Sequence, residues 1–197
     1  MRCFILKEEI EKLDKLIESM QMLMKYIYKE INEYNDKVIF SAMILKKTID
    51  ILTTSKYVLR NYLMSVQVSL LRLLCDNCLA LQSVKELGIE KVMELINNNQ
   101  QVNQIMVDEE QNMSDGYLKR KVSETYHSVD KIYRFACEGV HFSKQAISFA
   151  FTKDNNIPTF NMEPGNKDMK EKMLTNNNNI VVVSNIIGSM LKEIILN

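Results

Sequence analysis

The stretch LKEEIEKLDKLIESMQMLMKYIYKEINEY, residues 6–34, decides the fold class. Its apolar positions Leu6, Ile10, Leu13, Ile17, Met20, Met24, Ile27, Ile31 and Tyr34 step by four and three residues without a miss. At 3.6 residues per turn that spacing keeps them on one side of a helix. Leu16 and Leu23 widen the side beyond the seam of a two-stranded coiled coil, so burial within a bundle is favoured over coiled-coil dimerisation. The spacing predicts one long amphipathic helix over residues 5–34.

The rest of the chain extends the pattern. Val38, Ala42, Leu45, Ile49 and Leu52 carry a second helix from Asp36, with TTS at 53–55 as its bend or cap. A third is expected over 56–87, with Leu59, Leu63, Val66, Leu70, Leu73, Asn77 and Val84 along its inner line and Gly88 as its left-handed cap. A short helix restarts at Ile89. Residues 97–115 are polar, lack a period and read as a mobile loop. A further helix is expected over 117–138, with Leu118, Val122, Val129, Ile132 and Ala136 inward and Gly139 as its stop. Ile147, Phe149 and Phe151 then alternate with small residues ahead of KDNN, which allows a small β-hairpin near 146–162. Helical spacing resumes at Met169, Met173, Ile180, Val183, Ile187, Met190 and Ile194. The whole is a single all-α domain over 1–197, a bundle of about five long helices.

With 197 residues, 46% of them hydrophobic, such a domain can bury about 70% of its unfolded surface in one core. Twenty-five basic side chains balance 25 acidic ones, so no global field draws in nucleic acid or anionic membrane, and any such attraction needs a local patch. The N-terminal MRCFILKEEIEKLDK is charged from Lys7 and lacks the apolar core of a secretory leader. The apolar run from Ile180 to Leu191 falls short of the roughly 20 residues that span a bilayer. Four cysteines in a chain of this kind fit reduced thiols. A cytoplasmic protein without membrane contact is expected.

Little here points to chemistry. Steps of seven join Arg120, His127, Arg134 and His141, with Glu124, Lys131 and Glu138 between them, on a stripe about 200° around the expected helix from its apolar line. One reading is a solvated face held by pairs such as Arg120 with Glu124 and Arg134 with Glu138. The other is a site. A histidine can move protons at neutral pH and an arginine can hold a phosphate, which together suffice to cleave RNA, since the ribose 2′-hydroxyl is itself the nucleophile. Exposed groups catalyse poorly, so a second surface would have to enclose them, most simply the same stripe of another copy.

The segment RFACEGVH, residues 134–141, resembles the R-x(4–6)-H signature of the HEPN superfamily. The resemblance implies a helical bundle that dimerises so that two motifs form a metal-independent RNA-cleaving site, often in toxins and antiviral systems whose genes travel with an antidote. It implies Arg134 and His141 as the catalytic pair, without a cofactor. His127, Lys131 and Arg120 would widen the substrate groove. Phe135 departs from the pattern, since active members usually carry a polar residue after the arginine. The competing class is a non-catalytic helical interaction or scaffold protein.

Two further groups invite a reading. Cys75 and Cys78 have CxxC spacing inside a helix without a second pair, which favours two ordinary thiols over a zinc site. Ser65, Ser69, Arg72 and Asp76 form a polar line on the third helix. Arg72 and Asp76, one turn apart, are expected to pair, either as a register-setting ion pair or as part of a secondary polar site.

Overall fold

The computed structural model describes residues 2–30, 35–107, 111–141, 143–154, 157–160 and 167–196. Among them the chain is an all-α bundle with one small hairpin. The elements are α1 (Arg2–Glu30), α2 (Asp36–Arg60), α3 (Met64–Leu87), α4 (Ile89–Asn97), a 3-10 turn (Val102–Gln104), α5 (Asp115–Thr125), α6 (Ser128–Val140), α7 (Lys144–Ala150), β1 (Phe151–Asp154), β2 (Ile157–Phe160) and α8 (Lys167–Leu196). The helix expected over 5–34 is α1; its last positions, Ile31 and Tyr34, lie outside the described residues.

α3 is the axis of the molecule. It packs against α8, α2, α6, α5 and α4, while α1 lies on α2 and α8. Leu71, Leu74, Cys75, Cys78 and Leu81 of α3 meet Leu45 and Leu52 of α2, Val129 and Ala136 of α6, and Ile180, Val183 and Ile187 of α8 in one continuous core. By length and composition, α3 and the Asp168–Leu196 part of α8 are apolar enough to cross a bilayer, a longer span than the run from Ile180 to Leu191 indicates. In α3, 61% of that apolar window is buried inside the bundle.

Several boundaries differ from the sequence reading. α2 runs through TTS because Thr53, Thr54 and Ser55 turn their hydroxyls back onto the carbonyls of Ile49, Asp50 and Ile51, each at 2.8 Å, and so join the helix instead of ending it. The break comes later, at Asn61–Leu63, where Tyr62 takes φ 56°. Leu59 therefore belongs to α2. Of the expected inner line of α3, Asn77 and Val84 are buried, but Leu63, Val66 and Leu73 are 41%, 44% and 41% exposed. The buried line is Val68, Leu71, Leu74, Cys75 and Cys78.

The helix expected over 117–138 is two helices, α5 and α6, parted at Tyr126 and His127. Gly139 does not stop the second. It is buried inside α6, and a Cβ there would lie 2.4 Å from Val68 Cγ1, so the glycine sets the closeness of α6 to α3. The hairpin is shorter than 146–162: Gln145 to Ala150 belong to α7, and β1 pairs antiparallel with β2 from Phe151 opposite Phe160 to Asp154 opposite Ile157. Residues 161–162 lie outside the described residues. Within 97–107 and 111–115, Met106 and Asn112 form a bridge, Met113 is buried, and Ser114 caps α5 by accepting from Tyr117 N–H.

Candidate functional site

α6 carries the two residues of the motif. Its interior face, Val129, Ile132, Tyr133 and Ala136, lies against α3, which turns Lys131, Arg134 and Glu138 outward. The helix holds its phase through Gly139 to Val140, and the N–H of His141 still donates to Cys137 O at 3.1 Å. Arg134 and His141 therefore share one exposed side, seven residues or about 10 Å apart along the axis. Lys131 and His141 make no side-chain hydrogen bond or ion pair among the described residues.

Arg134 is 66% exposed and pairs with Asp130 at 2.5 Å, one turn before it, and not with Glu138 as the sequence reading expected. An acid toward the helix N-terminus and a base toward its C-terminus is the arrangement the helix dipole favours. Asp130 also accepts from Lys119 of α5 at 2.8 Å. The Lys119 hydrogen bond is the main reason its carboxyl is held below the usual range, with Arg134 adding to the effect.

The stripe itself is not continuous. Because α5 and α6 are separate helices parted at Tyr126, Arg120 lies on a different helix from Arg134 and His141, while His127, with helical φ and ψ, is the N-cap of α6. Arg120 lies over the ring of Tyr117, 5.5 Å from its centroid, while Lys121 takes the contact with Glu124 that Arg120 was expected to make. His127 stands at the junction, its Nδ1 2.9 Å from Ser123 O. No glycine or proline marks that junction, so the sequence offered no break signal.

The polar line on α3 meets a different outcome. Ser65 and Ser69 are exposed, but Arg72 is the centre of a clasp joining three helices. It pairs with Asp76 as expected, and reaches Asp115 at the start of α5 at 3.2 Å. Its Nη2 donates to the Tyr133 hydroxyl at 2.8 Å, and the guanidinium lies 4.4 Å from the centroid of that ring. Tyr133 in turn donates to Asp115 Oδ2 at 3.0 Å. Burial pushes the Tyr133 phenol up, so it stays a donor at neutral pH. Asp115 and Tyr133 were missed, because nothing in sequence links position 72 to 115 or 133; only folding brings them together.

Cys75 and Cys78 are buried thiols on α3. Burial pushes Cys75 up to about 12 and Cys78 well above the ordinary thiol value, so both are poor nucleophiles at neutral pH. No group of three or more metal-type side chains occurs among the described residues.

No protein-family model, curated protein or solved structure matches this chain. The likeness to the HEPN signature thus rests on Arg134, His141 and the helix that carries them.

Proposed function

We propose that this chain is a HEPN-like helical protein that acts on RNA through the Arg134 and His141 side of α6, completed by a second copy. The observation that carries the reading is the unbroken course of α6 past Gly139, which leaves guanidinium and imidazole on one exposed side. In the catalytic form His141 takes the proton of a ribose 2′-hydroxyl, the freed oxygen attacks the adjacent phosphorus, and Arg134 holds the charge on the non-bridging oxygens. The 5′-oxygen leaves and is protonated in turn. Arg134 first has to exchange Asp130 for the phosphate, and Lys119 remains to neutralise the carboxylate. Both groups lie in water in one copy, so activity depends on the enclosure that a two-fold partner supplies. The reading assumes a cytoplasmic protein, paired with an antidote or other partner protein.

A second reading, a non-catalytic interaction protein, is favoured by apolar surface at the far end of α1 and α8. There Leu23, Tyr26, Ile195 and Leu196 line a groove of about 220 Å³, with Leu196 71% exposed. One experiment separates the two. Purified protein is incubated with single-stranded and structured RNA in excess EDTA, beside an Arg134→Ala/His141→Ala variant, and its mass is measured by light scattering. Cleavage by the wild-type dimer alone supports the nuclease; equal inertness of both proteins removes it and leaves the interaction reading.

A further inference from the structure

A second feature lies on a different part of the molecule and is independent of the RNA reading. Between α2, α3, α4, the 3-10 turn and α5 runs a cleft of about 390 Å³, within the range of small-molecule sites. Phe40, Leu79, Val92 and Leu118 give it apolar walls. Among the described residues its only charged lining residues are Asp76 and Asp115, and no described lysine, arginine or histidine lines it.

The two carboxylates share one cation. Arg72 contacts both, and Tyr133 donates to the same Asp115 oxygen that Arg72 reaches. Two negative charges against one positive leave the group at net −1 beside an apolar wall. Asp115 Oδ1 and Asp76 Oδ2 accept no hydrogen bond among the described residues, and their side chains are 53% and 37% exposed. A carboxylate has about four acceptor sites, so each can hold the clasp and a further donor together.

We infer that this cleft binds a small amphipathic amine, its ammonium group on Asp76 and Asp115 and its hydrocarbon part against Phe40, Leu79, Val92 and Leu118. An anion is repelled by the same pair, and a neutral analogue gains only the apolar contact. The clasp orients both carboxylates before the ligand arrives, which reduces the ordering cost of binding.

The test titrates hexylamine, 1-hexanol and hexanoate into the full chain with labelled methyl groups, following the resonances of Leu79, Val92 and Leu118 by NMR. Hexylamine is expected to give saturable shifts with an affinity at least about five-fold tighter than hexanol, and hexanoate to give none. Ala80→Leu fills the cleft from α3 while keeping both carboxylates in the chain and is expected to abolish the response. Asp115→Asn keeps an acceptor for Arg72 and Tyr133 but removes a charge, and is expected to weaken hexylamine at least about three-fold while leaving hexanol unchanged. Equal affinity for the three ligands, or hexylamine binding undiminished by Ala80→Leu, overturns the inference.

Discussion

A methyl group at position 139 would meet Val68 Cγ1 at 2.4 Å and Phe149 Cε2 at 3.2 Å. Gly139→Ala is therefore expected to lower stability by about 1–3 kcal/mol in urea denaturation, although alanine is the better helix former. Combining it with Val68→Ala should cost less than the two single changes summed, because the second removes the methyl that the first strikes. Asp130 yields a prediction of another kind. Its carboxyl is held below the ordinary value, so the stability it contributes is present above the unfolded carboxyl value of about 4 and is lost as pH falls through the lowered folded value. Asp130→Asn should flatten that acid limb in a pH series of melting temperatures. The same change releases Lys119 and Arg134, so under the RNA reading it should tighten RNA binding and steepen its salt dependence by about one unit of slope in a filter-binding series. At this scale the sequence singles out residues but not their partners. The motif points to Arg134, yet two acids lie one turn from it, and only the packed α5, with Lys119, shows which one is held in place.

The helices follow the apolar rhythm, and their ends follow rarer signals. Gly88 closes α3 and opens α4 where a glycine was expected to stop the helix, but at φ 83° and ψ 155° it is extended with positive φ rather than left-handed helical. Space around it is open, since a Cβ would meet nothing within 4 Å. Gly88→Ala is therefore a test of backbone alone, expected to lower stability by about 1–3 kcal/mol by thermal or urea melting with no change in core packing. Neither the break at Tyr62 nor that at Tyr126 has such a marker, which is why two boundaries were misplaced. The misread face of α3 has a related cause. A helix surrounded by α8, α2, α6, α5 and α4 is apolar on most sides, so periodicity identifies the helix without telling which stripe looks out. The alternation at Ile147, Phe149 and Phe151 likewise fits a strand, yet α7 claims the first two and only Phe151 begins β1.

Across the whole molecule, Arg72 joins three elements that are distant in sequence. Arg72→Met keeps much of the apolar stem but leaves Asp76 and Asp115 without their shared cation, and should lower stability by about 1–3 kcal/mol in urea. Adding Asp115→Asn should recover part of the loss, which a merely steric role for the arginine would not produce. The arginine and Asp76 were legible as an i, i+4 pair; their use as a tie between α3, α5 and α6 was not, because such ties are long-range. The same is true of the contact between α3 and α8, whose residues are separated by the whole of α4 to β2. A chain emerging from the ribosome at about 5–20 residues per second holds α1, α2 and α3 for several seconds before α8 follows. During that interval Leu71, Leu74 and their neighbours lack the surface that finally covers them, and a holding chaperone has its longest opportunity.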